Sequence, residues 1–475
     1  MTRQTAIFWF RRDLRIADNP GLLAAAQRGE VIPLYILDDE NAGRWRKGAA
    51  SRWWLHHSLS DLNATLDGKL RVYEGDPLQL IPEICTRHNV TSVHWNRCYE
   101  PWQLERDKKL KSRLHEIGIE ALSENGSLLW EPWQIAKQDG TPYKVFTPFF
   151  NKGCLPAPAP RSPLAEPAHL QLAAQDQSAI TIESLQLLPP INWYHSIAEA
   201  WQPGQHGAEC RLEDFLVNGL HQYKKGRDFP SLEAVSRLSP HLHFGEISPN
   251  QVWYRAQQEF LSRGLEVNGE HFQRELGWRE FSYYLLYHFP SLPIKNFQSK
   301  FDGFPWRQDE TLFNSWCQGQ TGYPIVDAGM RELWQTGYMH NRVRMIVASF
   351  LIKNLLIHWH RGADWFWDCL VDADLANNSA SWQWVAGSGA DAAPYFRIFN
   401  PVTQGMKFDP DGHYVRRFVP EIAGLPDKYL HDPSAAPPAV LSAADIRLGQ
   451  TYPVAIVDLK ESRNRALEAF QALSG

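Results

Sequence analysis

Residues 6–38, "AIFWFRRDLRIADNPGLLAAAQRGEVIPLYILD", decide how the chain begins to fold. The run "AIFWF" is short, branched and aromatic, which reads as a strand. A charged turn follows, and then "DNPGLLAAAQR", where Asn19 can cap a helix and Pro20 can occupy its first position without losing a needed N–H. "VIPLYILD" returns as a second strand. Strand, helix and strand within this span make a βαβ unit, whose strands run parallel because a crossover helix separates them.

The same rhythm continues downstream. "LRVYEGD" and "VTSVHWN" are further strands, and "WQLERDKKLKSRLHEIG" is a helix. This predicts a doubly wound parallel sheet. No GxGxxG follows the first strand, so the dinucleotide fingerprint is missing, although an open α/β sheet can still hold a ligand at the carboxyl ends of its strands. At residues 154–169, "CLPAPAPRSPLAEPAH" carries five prolines, which excludes regular helix and marks a linker. From about residue 205 helical patterns dominate. The expected class is α/β plus all-α: an α/β domain over 1–130, an interdomain linker over 131–204 and a helical domain over 205–475.

Composition bounds the function. The 475 residues exceed what one core usually serves, and 44% hydrophobic with 21% charged residues is a globular balance. A net charge of −5 and a pI of about 6.4 exclude a uniformly basic nucleic-acid coat, so any such site is a local patch. The six cysteines, Cys85, Cys98, Cys154, Cys210, Cys317 and Cys369, are scattered, which suggests neither zinc site nor disulfide framework and fits a reducing cytoplasm. "MTRQTAIFWFRRDLR" has too short an apolar run for a signal peptide. "MIVASFLIKNLLI", the longest apolar segment, is interrupted by Lys353 and Asn354 and is too short to span a bilayer, so a buried helix is expected.

Four stretches of the helical half combine polar and aromatic residues. In "SRLSPHLHFGEISP", residues 236–249, Ser239 and Ser248 each precede a proline and read as N-caps; with Arg237 they could hold a phosphate, or they could simply cap helices. In "RELGWREF", Glu275, Trp278 and Arg279 share a helix face, as an ordinary amphipathic helix would also have them do. In "MHNRVRM", Asn341, Arg344 and Met345 share a face that would suit an anion or ring, or equally a solvated helix start. In "VDADLANNSASWQW", Asp372 and Asp374 precede Asn378 and Trp382; no further carboxylate or histidine clusters with them, which argues against a metal.

Taken together, "WFRRDLRIADNP", "GRDFPSLEAVSRLS", "GWREF", "TGYPIVDAGMREL", "MHNRVRMIVASFLIK", "DADLANNSASWQW" and "YFRIFNP" resemble the DNA photolyase and cryptochrome family along the whole chain. The resemblance implies an α/β antenna domain, a long linker and a helical domain that binds FAD. It assigns the flavin site to Tyr223, Ser236, Arg237, Leu238, Ser239, Arg279, Asn341, Arg344, Asp372, Asp374, Asn378 and Trp382, with Asn378 at the flavin N5 and Arg344 paired with Asp372. Val235 stands where many members carry a threonine, which removes one hydrogen bond, worth about 1 kcal/mol, without abolishing FAD binding.

The activity implied is light-driven repair of cyclobutane pyrimidine dimers in UV-damaged DNA, with FAD active as the reduced anion. Glu275 and Asn341 would hydrogen-bond the lesion, Trp278 and Trp384 would stack on it, and Met345 would lie beneath it. Arg342, Arg397, Gln404 and Lys407 would contact the DNA backbone, and Trp306, Trp359 and Trp382 would relay electrons to oxidised flavin. The alternative is a cryptochrome-type blue-light photoreceptor. Plant-type members usually replace the flavin-facing Asn, lack the Trp at 278 and add a long tail, whereas this chain has Asn378 and Trp278 and stops soon after the core. Asn341 and Met345 stand in place of the histidine pair of the (6-4) branch.

"SRWWLHHSL" and "VHWNRCYEPWQLERD" are most similar to bacterial class III photolyases, which implies a methenyltetrahydrofolate antenna near Trp53, Trp54, Glu100 and Trp102. Trp102 and Gln103 depart from the folate-holding pattern of many class I enzymes, leaving a deazaflavin as the other choice. A cytoplasmic monomer with no membrane segment, metal or obligate protein partner is expected.

Overall fold

In the computed structural model, which describes residues 4–474, β1 (Gln4–Phe10) pairs in parallel with β2 (Gly29–Leu37). The turn between them is built as its residues dictate: Asn19 caps the helix Pro20–Ala26 by accepting from the Leu22 N–H at 3.1 Å, with Pro20 in the first turn. β3 (Arg71–Glu74), β4 (Ser92–Asn96) and β5 (Glu120–Glu124) complete a parallel sheet of order β3-β2-β1-β4-β5. β4 and most of β1 are buried along their length, as expected when helices cover both faces of a parallel sheet.

β5 was not foreseen. Its sequence "EALSE" is polar and its residues are half-buried or exposed, because it lies at the edge and needs only one strand partner. The strand order reverses between β1 and β4, the point at which α/β sheets open a crevice beyond their carboxyl ends. Arg11 and Arg12 leave β1 there, and Arg97 to Glu100 leave β4.

The proline-rich stretch forms no regular helix and is tied to the sheet further along. The Val31 N–H donates to the Gln171 carbonyl at 2.8 Å, and the Ala173 N–H donates back to Val31 at 2.9 Å. Asp176 accepts from the Tyr73 hydroxyl at 3.2 Å and pairs with His88 at 2.8 Å.

Contacts cluster into two compact units that interleave in sequence. One comprises residues 1–221, 236–290 and 371–376; the other comprises 222–235, 291–370 and 377–475. The division at residues 130 and 204, which marks where sequence character changes rather than where contacts cluster, stands as a proposal. Ile7, Trp9, Ile32, Leu34, Val93 and Trp95 are central to the core of the first unit.

The second unit is helical, with only isolated bridges outside its helices among the described residues. Asp327 of "TGYPIVD" is fully buried and accepts from the Thr321 N–H at 2.7 Å, the Thr321 hydroxyl at 2.6 Å and the Tyr452 hydroxyl at 2.7 Å. Its place is therefore architectural. Gly329 lets the helices Pro324–Thr336 and Asn341–Ser349 approach, since a Cβ there would lie 2.4 Å from Val343. "MIVASFLIKNLLI" is buried from Ile346 onward, but it is not one regular helix: Asn341–Ser349 widens into a π-helical turn, Phe350–Asn354. No helix among the described residues is long and apolar enough to cross a membrane.

Candidate functional site

The segment 236–249 shows how local sequence and tertiary context divide the work. Ser248 caps the helix Pro249–Arg263 as expected, accepting from the Gln251 N–H at 2.9 Å, while the Gln251 side chain accepts the Ser248 N–H at 2.9 Å. Ser239 does not cap. The chain turns at Arg237, held at φ +51°, so Leu238 is already helical and takes the cap position of Ser239–Phe244. A left-handed arginine is uncommon and costs of order 1 kcal/mol or more, a strain found where backbone is shaped for a ligand. Ser239 is left with an exposed hydroxyl that makes no hydrogen bond among the described residues. Arg237 lies 4.4 Å from the Trp201 ring centroid.

Asp374, also in the first unit, is buried and accepts from the Tyr283 hydroxyl at 2.5 Å, His243 Nδ1 at 3.2 Å and Arg12 at 3.4 Å. Burial by itself would raise its pKa, but the hydrogen bonds from His243 and Tyr283 and the Arg12 charge outweigh that and hold it well below the usual carboxylate range. Burial, aided by Arg12, pushes His243 down to about 4. The neutral ring donates from Nδ1, leaving Nε2 a buried acceptor with no partner among the described residues. Arg12 also pairs with the buried Glu100, so a single guanidinium serves one residue assigned to the antenna and one assigned to the flavin. Asp372 is buried close by in sequence.

The helix Glu266–His288 carries Glu275, Trp278 and Arg279. Arg279 pairs with its neighbour Glu280 at 2.9 Å and donates to the Ser127 carbonyl at 2.9 Å. Glu280 also accepts the Leu129 N–H at 2.8 Å, and burial raises its pKa to about 7. Trp278 is half-buried and stacks on Phe146, with centroids 3.9 Å apart and planes at 13°.

Of the residues the resemblance assigns to an antenna, Trp53 and Trp54 are buried; Trp54 donates to Glu246 at 2.9 Å and lies parallel to Phe244, which Lys47 also meets at 5.2 Å. Trp102 donates to Glu100 at 2.7 Å and packs beneath Arg106. Burial and the nearby Arg12 lower Lys47 to about 8.

In the second unit, Asn341 is the exposed first residue of its helix, capped by His340. Arg342 pairs with Asp228 at 2.8 Å and lies 4.4 Å from the Phe408 ring, with Met345 Sδ 3.8 Å away. Arg344 donates to the Met339 carbonyl at 2.7 Å. Tyr223 is buried against Arg227. Asn378, on the helix Leu375–Ala386, donates to the Ala363 carbonyl at 3.0 Å; its Oδ1 accepts no hydrogen bond among the described residues. Its amide is thus oriented while its acceptor is spare.

Trp382, one turn on, is buried against Phe366 at 5.0 Å and packs on Gly362, where a Cβ would lie 2.1 Å from the indole. Trp359 is buried and hydrogen-bonded to Asn296 at 2.9 Å, whereas Trp306 is half-buried. Both indoles contact His358, at 5.6 Å and 5.0 Å. Trp384 is half-buried, and Gln404 and Lys407 lie on Pro401–Phe408.

The Arg397 carbonyl accepts from Lys353 at 3.1 Å. Burial first, and then the Arg397 charge, pushes the Lys353 pKa down to about 7. Between pH 7 and the ordinary lysine range the unfolded chain holds a proton that the folded chain lacks, so this group makes stability rise with pH across that window. Lys353→Met is expected to remove that rise. Urea midpoints should show wild type gaining on the order of 2 kcal/mol relative to the variant from pH 7 to 10; parallel curves would refute it.

Arg12, His243, Tyr283, Glu280, Phe146 and His358 were missed in the sequence reading. Arg12 follows the first strand and Glu280 adjoins Arg279, which were usable signals. The donor chemistry fits a flavin dinucleotide. Within the first unit, the guanidinium groups and hydroxyls of Arg237, Arg279, Ser236 and Ser239 suit a diphosphate; in the second, taken by itself, the spare Asn378 acceptor suits a ring N–H.

Residues 6–168 match the family model described as DNA photolyase, and residues 272–472 match that described as the FAD binding domain of DNA photolyase. A deoxyribodipyrimidine photo-lyase of Agrobacterium fabrum is 48% identical over 100% of this chain and 99% of its own length. Cryptochrome-1 of Arabidopsis thaliana is 38% identical over 98% of this chain and 70% of its own. A solved bacterial class III photolyase from Agrobacterium tumefaciens superposes with a TM-score of 0.96 and 47% identity, covering 100% of this chain and 98% of that one. The chain belongs to the DNA photolyase and cryptochrome family.

Proposed function

We propose that the protein repairs cyclobutane pyrimidine dimers in UV-damaged DNA by a light-dependent reaction. Trp278 carries this reading: a half-buried indole, backed on one face by Phe146, at the position where plant-type cryptochromes usually lack it. Full-length likeness to a deoxyribodipyrimidine photo-lyase supports it.

FAD, if bound as the reduced anion, would on blue-light excitation lend the dimer an electron and take one back once the two pyrimidines have separated, so that the repair is redox-neutral. Photolyases are among the enzymes that take a base out of the duplex, exposing its faces and edges to the protein. Trp278 and Trp384 each offer an aromatic face to a flipped base, and Met345 a polarizable contact. Glu275 and Asn341 hydrogen-bond pyrimidine edges. Arg342, Arg397, Gln404 and Lys407 contact phosphates, which positions the strand without reading sequence. For the flavin, Arg237 and Arg279 with Ser236 and Ser239 hold phosphate oxygens, Tyr223, Leu238, Arg344, Asp372 and Asp374 complete the binding shell, and Asn378 aligns the ring. Trp382, Trp359 and Trp306 deliver electrons when the flavin is oxidised, and the partial exposure of Trp306, in contrast to the buried Trp359 and Trp382, supports its place as the outer member.

An antenna, methenyltetrahydrofolate or else a deazaflavin, fits near Trp53, Trp54, Glu100 and Trp102. The buried and unpartnered Nε1 atoms of Trp9 and Trp53, Gln103 Oε1 and His243 Nε2 of the same unit support a polar ligand there. Six free thiols accord with a cytoplasmic setting, and we read the protein as a monomer.

The test is blue-light repair of an oligonucleotide bearing one thymine cyclobutane dimer, with the flavin chemically reduced and a (6-4) lesion alongside. Repair of the dimer alone, and only in light, is expected. If neither lesion is repaired while FAD stays bound and photoreducible, the protein is a blue-light sensor, as its likeness to Cryptochrome-1 allows.

A further inference from the structure

The stretch "KVFTPFFN", residues 144–151, places Phe146, Phe149 and Phe150 in two short turns, Phe146–Pro148 and Phe149–Cys154. All three rings are buried. Phe150 stacks on Phe146 at 5.6 Å and 19°, and Phe146 stacks on Trp278 at 3.9 Å and 13°. The result is a column of three rings that ends at the indole.

The column is braced on several sides. Gly277, next to Trp278, allows the segment to approach the helix, since a Cβ there would lie 2.5 Å from Phe150. Arg274, one turn before Trp278, lies 5.3 Å from the Phe146 centroid and 5.4 Å from that of Phe150, and its guanidinium donates to Asn151 at 3.1 Å. Phe281 meets Trp278 edge-on at 5.9 Å and Phe146 at 6.0 Å. The indole is therefore stacked on one ring and met at a steep angle by a second, so its rotamer is set by packing.

We propose that Phe146 is a positioning residue for damage recognition, holding the Trp278 ring so that its remaining face is ready to receive a flipped pyrimidine. This rests on the reading that Trp278 stacks on the lesion. An indole held only by its own torsions would lose side-chain freedom on binding; an indole already stacked has lost that freedom during folding, which strengthens association without any new contact to DNA. Phe146 is assigned to neither the flavin nor the lesion and is placed to act through Trp278, on which it stacks.

The test uses FAD-loaded protein carrying Phe146→Leu, with Phe146→Met as a second ringless replacement if the first loads flavin poorly, and Phe146→Tyr as the conservative variant. Affinity for an oligonucleotide with a single thymine dimer is expected to fall roughly 3- to 10-fold, the size of one aromatic pair. Affinity for undamaged DNA, flavin per chain and the single-turnover repair rate of the saturated complex should stay at wild-type values, and Phe146→Tyr should restore damaged-DNA affinity. Wild-type discrimination in both ringless variants, with Trp278→Ala impaired, overturns the inference and leaves the stacking role of Trp278 standing. Unimpaired Trp278→Ala overturns both.

Discussion

Trp278→Ala is expected to lose about 1 to 3 kcal/mol of binding to dimer-containing DNA, the worth of one base stacked on one aromatic ring. Undamaged DNA, held mainly through its phosphates, should bind as before. The structure sharpens the expectation. Trp278 is half-buried on the Glu266–His288 helix, and its contacts are with Phe146 and Phe281 rather than with the carboxylate and guanidinium groups assigned to the flavin. Truncating it should therefore spare flavin content, which absorbance per chain measures. Full affinity for damaged DNA in a flavin-replete variant would remove Trp278 from the lesion site.

Trp306→Phe is expected to abolish photoreduction of oxidised flavin while sparing repair by flavin that has been reduced chemically. Phenylalanine preserves an aromatic ring at the site but is much harder to oxidise than indole, so it cannot pass an electron inward. Trp306 is the half-exposed member of its set; Trp359 and Trp382 are 1% and 3% exposed, and Trp306 and Trp359 both contact His358. An outer relay needs access to an external donor, and the inner members need burial against the flavin. Bleaching of the oxidised flavin spectrum under blue light with an added reductant is the measurement. An unchanged bleaching rate would take Trp306 out of the chain.

How much of this was legible before folding depends on the range of each interaction. Asn19 with Pro20, and Ser248 with Gln251, could be read because a cap and its acceptor lie within one turn. The same rule failed at Ser239, where the left-handed Arg237 started the helix a residue early, a backbone turn with no signal in the neighbouring residue types. β5 escaped notice because an edge strand needs no apolar alternation. Glu280 was overlooked as the partner of Arg279 because helix spacing directs attention three or four residues away, and here burial of the adjacent carboxylate decided the pairing.

The sequence by itself determined the parallel sheet and the helical half, since strand period, helix period and capping are short-range effects repeated along the chain. Only the tertiary structure decided that Arg12 serves both Glu100 and Asp374, that Phe146 backs Trp278 and that Lys353 anchors the Arg397 carbonyl. Arg12 and Asp374 are 362 positions apart. No local preference brings such residues together; burial does, because a charge or ring removed from water must find its partner among whatever the fold has placed beside it.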